Sequence, residues 1–299
     1  MAVKSAQIVV NGVTVNLTYN SNTGKWEGTG TAPTKSSYNH PGHYYGVTVK
    51  ATDDAGNSTT KDASDETLGS SLRLAVKETT APVINITAPT ASATLTNNQP
   101  AITFTVTDDD SGVNPSTIGI TIDSGTKITG DTIKKTAITN GYTCSYTPSA
   151  ALADGSHTIK VDASDYDGNA AGQKSVTFKI DTVPPTLSVN SPANNIVTNK
   201  SSVTVSGTTN DVTSSPVTLT VNGKGVIVGT DGAFSTTVAL TLGTNTITII
   251  AKDSAGKTTT ITRTVKYDPN PPKITAVTIT PNPVNTGKTF TVSVTITDD

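Results

Sequence analysis

The chain has 299 residues, a formal net charge of −2 and only 15% charged residues. It has no Lys/Arg run, so the counterion release that drives nucleic-acid binding has no source, and no stretch approaches the roughly 20 apolar residues of a membrane span. With 33% hydrophobic and 4% aromatic residues a single large core is excluded; small cores of Val, Ile, Leu and Ala in sandwiches of roughly 100 residues fit better.

The first readable strand, Ala6-Gln-Ile-Val-Val-Asn-Gly12, is followed by Gly24-Lys-Trp26 and an aromatic loop, Tyr38-Asn-His40-Pro-Gly-His43-Tyr44-Tyr45. Next comes Val47-Thr-Val-Lys-Ala51-Thr-Asp53-Asp-Ala-Gly56-Asn57, which recurs as Ile159-Lys-Val-Asp-Ala163-Ser-Asp165-Tyr-Asp-Gly168-Asn169 and as Ile247-Thr-Ile-Ile-Ala251-Lys-Asp253-Ser-Ala-Gly256-Lys257. The spacing Ala-x-Asp-x-x-Gly is shared, and self-similarity at a domain-sized interval marks a tandem array. In each copy alternate apolar residues (Val47, Val49, Ala51; Ile159, Val161, Ala163; Ile247, Ile249, Ala251) fall on one face of a strand. The Asp and Gly then make a tight turn, and a partner strand follows at Leu72 to Val76, Val176 to Ile180 and Ile261 to Val265.

Each hairpin leads into a proline joint: Glu78-Thr-Thr-Ala-Pro82, Asp181-Thr-Val-Pro-Pro185 and Asp268-Pro-Asn-Pro-Pro272. Proline stiffens the chain and cannot donate to a ladder, so these are domain boundaries. They divide the chain into 1–79, 80–182, 183–269 and a remainder, 270–299. After each joint two strands are expected, Val83 to Thr87 with Ala101 to Thr107, Thr186 to Val189 with Ser202 to Gly207, and Lys273 to Ile279 with Thr289 to Thr297.

The Asp-Thr-x-Pro-Pro joint, the opening strand with its Asn-Pro or Ala-Pro turn, and the Ala-x-Asp-x-x-Gly-Asn hairpin resemble bacterial immunoglobulin-like domains over essentially the whole chain. The resemblance implies an all-β fold of tandem Ig-like sandwiches strung as an elongated rod. It also implies the settings in which such domains occur: surface adhesins, spacers of secreted hydrolases and bacteriophage tail proteins. It says little about function, since one sandwich hosts many roles.

Domain one matches only the later strands of domain three: Ala6 to Gly12 aligns with Val217 to Gly223, and Trp26 with Phe234. Residues 273–297 match only the first two strands. The expectation is that the apolar residues of this C-terminal pair (Ile274, Val277, Ile279, Phe290, Val292, Val294 and Ile296) complete domain one of another copy by strand addition, which repeated head to tail gives a homo-oligomeric ring or filament.

Two clusters are candidates for chemistry. Asp108, Asp110, Asp165, Asp167 and Asp181 could supply oxygens to calcium, against the plainer reading that Asp is a favoured turn residue; no other cofactor is expected. Tyr38, His40, His43 and Tyr44 could contact a glycan or peptide, whereas Tyr45, in register with Val47, reads as core. Zinc at His40 and His43 lacks a Cys or acidic residue close by to finish the tetrahedron. Cys144, the one cysteine, leaves no intrachain disulfide and reads as a small hydrophobe.

No nucleophile elbow, P-loop or dinucleotide motif occurs, so enzymatic activity is not expected. The N-terminus carries no apolar leader segment. That favours a structural or host-contacting component of a phage tail, located in the virion and partnered by other tail proteins or a bacterial surface glycan or protein. The alternatives are a bacterial cell-surface adhesin or spacer, and the non-catalytic stalk of a secreted polysaccharide hydrolase.

Overall fold

A computed structural model describes residues 2–298. Every regular element longer than a 3₁₀ turn is a strand. The chain divides into two compact units, residues 1–180 and 181–299.

The first unit contains domains one and two. Domain two is a two-layer sandwich. One sheet runs Val113–Ile122, Gly155–Asp165, Lys174–Ile180, Thr94–Leu95; the other runs Lys134–Ile138, Gly141–Tyr146, Ile102–Thr107, Val83–Ala88. The alternation read in the sequence is realised here. Ile159 and Val161 are fully buried, Ala163 nearly so, and they face Phe104, Val106 and Cys144 of the other sheet. Burial pushes the Cys144 thiol up to about 11, so it packs as an inert hydrophobe at neutral pH.

Domain one is a single layer, ordered Lys25–Glu27, Val13–Asn20, Val3–Val10, Tyr45–Asp53, Ser58–Lys61, with Arg73–Leu74 also pairing Tyr45–Asp53. The partner strand expected at Leu72 to Val76 is thus split. Pairing starts at Ser58, directly after the turn, and resumes only for Arg73–Leu74. The acidic segment between explains the break. Asp62 accepts from the Ser64 N–H, and Asp65 accepts from the N–H groups of Thr67 and Leu68 and pairs with Lys61, so local turns displace the ladder.

The joint at Glu78–Pro82 does not separate compact bodies, because domain one packs on domain two. Tyr38 stacks on Tyr166 at 4.3 Å between ring centroids. The Ser36 N–H donates to the Asp110 carboxylate, Asn39 to the Asp110 carbonyl, and the Glu78 N–H to Asp167.

The second unit contains domain three and the C-terminal hairpin. Domain three is again a sandwich, with Thr186–Ser191, Ser202–Asn210, Ala233–Ala239 facing a sheet ordered Ile196–Thr198, Thr258–Tyr267, Gly243–Lys252, Thr218–Val221, Lys224–Val226. Ile247, Ile249 and Ala251 are fully buried against Val205 and Phe234. Lys273–Thr280 and Thr291–Thr297 then form a two-stranded sheet of their own. Its first pair, Lys273 with Thr297, has the same sequence offset as Val83 with Thr107 and Thr186 with Asn210. All residues from 271 to 298 are exposed, including the apolar set Ile274 to Ile296 named above.

Candidate functional site

The acidic residues gather in two places, each built from the same three positions of the repeat. One residue comes from the proline joint, one from the end of the second strand, and one from the Ala-x-Asp turn. In the first unit these are Glu78, Asp108 and Asp165; in the second they are Asp181, Asp211 and Asp253. Within each trio a carboxylate oxygen of every member lies within 4.8 Å of those of the other two.

In the first cluster most oxygens are engaged. Glu78 Oε1 accepts from the Ser111 N–H at 2.6 Å, and Asp108 Oδ1 from the N–H groups of Asp110 and Gly112. Asp165 Oδ1 accepts from the Asn169 N–H at 2.8 Å, and Oδ2 from the Asn169 side-chain amide at 2.7 Å. Burial raises the Glu78 carboxyl above its ordinary range. The Ser111 N–H works against that rise, and the nearby charges of Asp108 and Asp110 add to it.

In the second cluster all three residues are buried, Asp181 at 0%, Asp253 at 4% and Asp211 at 6% exposure. Asp211 Oδ1 caps its loop by accepting from the N–H groups of Thr213 and Ser214 at 2.8 and 2.6 Å. Asp181 Oδ1 accepts from the Val183 N–H, and Asp253 Oδ1 from the Lys257 N–H at 2.8 Å. Asp181 Oδ2 and Asp253 Oδ2 accept nothing, and the buried Ser214 hydroxyl is also without a partner. The two clusters differ at the joint acid, Glu78 against Asp181, and in the turn, which ends Gly168-Asn169 there and Gly256-Lys257 here; each also has an unpartnered buried serine hydroxyl, Ser111 and Ser214. An asparagine reaches back to cap the second carboxylate oxygen, as Asn57 also does for Asp53; a lysine in its place leaves that oxygen open.

The five aspartates proposed as one calcium set are therefore divided. Asp108 and Asp165 meet, but with Glu78. Asp110 and Asp167 instead bond the backbone of domain one at Ser36 and Glu78. Asp181 belongs to the other cluster. The sequence reading missed Glu78, Asp211 and Asp253. Their signal was available in the repeat: an acid heading each joint, another ending each second strand, and the motif aspartate itself.

The aromatic candidates also resolve. Tyr38 stacks between His43 and Tyr166, and so takes part in the contact of domains one and two. His43 Nδ1 meets the Tyr38 carbonyl, and His40 leans on Tyr45 with 4.2 Å between ring centroids. Arg73 lies 4.8 Å above the Tyr44 ring. Tyr45 is buried and donates its hydroxyl proton to the Lys35 carbonyl, as the core reading expects.

Comparison with known proteins agrees with this architecture. Residues 78–182 match the family model described as a bacterial Ig-like domain, and residues 185–268 that of domain B of glucodextranase. Residues 78–182 are thus a bacterial Ig-like domain in a chain of tandem β-sandwich modules. Among curated proteins it is 29% identical over 213 residues to chitinase ChiA of Flavobacterium johnsoniae, covering 62% of this chain and 12% of that protein. It is 34% identical over 109 residues to bacillopeptidase F of Bacillus subtilis, covering 36% of this chain and 7% of that protein. It is 31% identical over 172 residues to the PII-type proteinase of Lacticaseibacillus paracasei, covering 54% of this chain and 9% of that protein. The chain thus spans about a tenth or less of these relatives. Among solved structures, an I-band fragment of titin is 12% identical with a TM-score of 0.45, covering 88% of this chain and 87% of that one.

Proposed function

We propose that the chain is a non-catalytic run of Ig-like modules that spaces or presents other parts of a larger bacterial protein acting outside the cell, of the kind represented by polysaccharide-degrading or proteolytic enzymes. The observation that supports it is the pattern of likeness. Of this chain, 62% aligns with only 12% of a chitinase and 54% with only 9% of a proteinase. Among the described residues, the polar clusters at the turns and joints are carboxylates with no nucleophile paired to a base. A surface adhesin built from the same modules is the neighbouring case of this reading. The N-terminus is what set the phage-tail reading above its alternatives, and in a segment that spans so small a part of its relatives it carries no argument.

The test is direct. The purified chain is incubated with colloidal chitin and with casein, and new reducing ends and acid-soluble peptides are measured. Background rates are expected for both. Turnover that co-purifies with the chain and scales with its concentration would overturn the reading.

A further inference from the structure

We propose that Asp181, Asp211 and Asp253 form a calcium site inside the second unit, with the Ser214 hydroxyl as a fourth oxygen donor. This does not depend on the chain being a spacer. Three buried carboxylates within 4.8 Å of one another place like charges in a medium that screens them poorly. Buried polar atoms are nearly always partnered, yet Asp181 Oδ2, Asp253 Oδ2 and Ser214 Oγ are not. Ser214 is held beside the acids, since its N–H donates to Asp211 and its carbonyl accepts from both the N–H and the hydroxyl of Ser254. A cation held among the three carboxylates would offset their shared charge and give the open oxygens a partner.

The donor set selects the ion. It is all oxygen, which disfavours zinc and other metals that prefer nitrogen or sulfur. Two oxygens bound to one calcium at 2.3–2.6 Å lie at most about 5 Å apart, which the observed separations meet. Magnesium is disfavoured, because it demands a near-ideal octahedron and gives up its waters reluctantly, while calcium accepts an irregular shell of six to eight oxygens that water can complete.

The first cluster sharpens the assignment. Its Asp165 has Oδ2 bonded to the Asn169 amide, whereas Asp253 Oδ2 is open because Lys257 stands at that place. The tighter site is therefore the second.

The experiment uses the full chain, stripped with EDTA and titrated with CaCl₂ or MgCl₂ by calorimetry, with thermal melts in parallel. Calcium is expected to bind and to raise the melting midpoint of domain three, with magnesium at least tenfold weaker. Asp253→Asn keeps the Oδ1 acceptor for the Lys257 N–H and should weaken calcium at least tenfold. Lys257→Asn, which offers the cap that Asn169 gives Asp165, should weaken it several-fold and keeps the test alive if Asp253→Asn fails to fold. No calcium heat or midpoint shift up to about 10 mM, above the range of weak extracellular calcium modules, would overturn the proposal. So would equal affinity for magnesium, or binding lost in Asp165→Asn but unchanged in Asp253→Asn.

Discussion

The turn at Asp53 and the turn at Asp253 share one sequence motif and end in opposite environments. In domain three the strand before the turn buries Ile247, Ile249 and Ala251 completely, and Asp253 is buried with them. In domain one the matching Val47, Val49 and Ala51 are only half-buried, and Asp53 lies near the surface with Asn57 closing both its oxygens. The difference is the second sheet. Val205 and Phe234 cover the strand in domain three, whereas domain one is a single layer. An alternating pattern therefore selects a face, and burial depends on whether another layer covers it.

Truncating that strand in each domain tests this most strongly. Ile249→Ala should destabilise the second unit by about 2–5 kcal/mol, as for large-to-small changes in a sealed core. Val49→Ala should cost domain one about 1 kcal/mol or less, since its side chain is only half-buried and no second sheet seals a cavity over it. Differential scanning calorimetry of each variant reports both values. Comparable losses in the two would mean that domain one is covered in solution and would break the comparison.

What domain one lacks in a second sheet it partly recovers by leaning on domain two. Tyr38 and Tyr166 stack with an interplanar angle of 11°. Tyr38→Ala and Tyr166→Ala should each lower the stability of the first unit, and the double variant should show a coupling of about 0.5–1.5 kcal/mol. Additive losses would show that the rings do not hold the two domains together.

The sequence carried much of this, and the gaps have physical causes. Period-two alternation and the joint prolines gave the sandwiches of domains two and three and the hairpin at Lys273–Thr297, because these signals are local. The stacking of Tyr38 on Tyr166 was invisible: the residues are far apart along the chain, and tyrosine serves a ligand surface or a packed contact equally well. The split strand after Ser58 was missed because Asp62 and Asp65 act through side-chain-to-backbone bonds that compete with the ladder. The acidic clusters were half visible. Aspartates were noted where they crowd in sequence, at Asp108 to Asp110, but the fold groups them by position in the repeat, which brought Asp211 and Asp253 to Asp181 across three separate segments.

A weaker effect is expected on pH. His157 sits between the Ala153 carbonyl and the Asp123 carboxylate, at 2.7 and 2.8 Å. Burial works against its charged form, but these two acceptors outweigh it and hold its pKa above the usual 6.5. The Asp123 carboxyl is held low: burial opposes ionisation, and the bonds from His157 and the Thr158 N–H overcome it. The imidazolium therefore contributes fully below about pH 6.5, and its contribution fades as pH rises through the raised folded value. The carboxylate contributes above its ordinary 3.8 and fades as pH falls through the lowered one. Domain three has no histidine, so it serves as an internal reference. Between pH 6 and 8 the melting midpoint of domain two should fall relative to that of domain three, and Asp123→Asn should flatten the difference. A slope that survives Asp123→Asn would assign it to another group.

The finest test exchanges the residue that distinguishes the two buried turns. Asn169→Lys gives domain two the ending of domain three. It removes the amide that bonds Asp165 Oδ2 and also the Glu78 carbonyl at 3.2 Å. Without calcium, domain two should lose about 1 kcal/mol, the usual net worth of such bonds. With calcium, part of that loss should return, because the freed oxygen joins Glu78 and Asp108 as a donor, and affinity at this cluster should rise a few-fold. Calorimetry in an Asp253→Asn background isolates the change from the second cluster. If the swap destabilises domain two and calcium restores nothing, Asn169 is a turn cap alone, and the side chain after the turn glycine does not decide which aspartates are open to a cation.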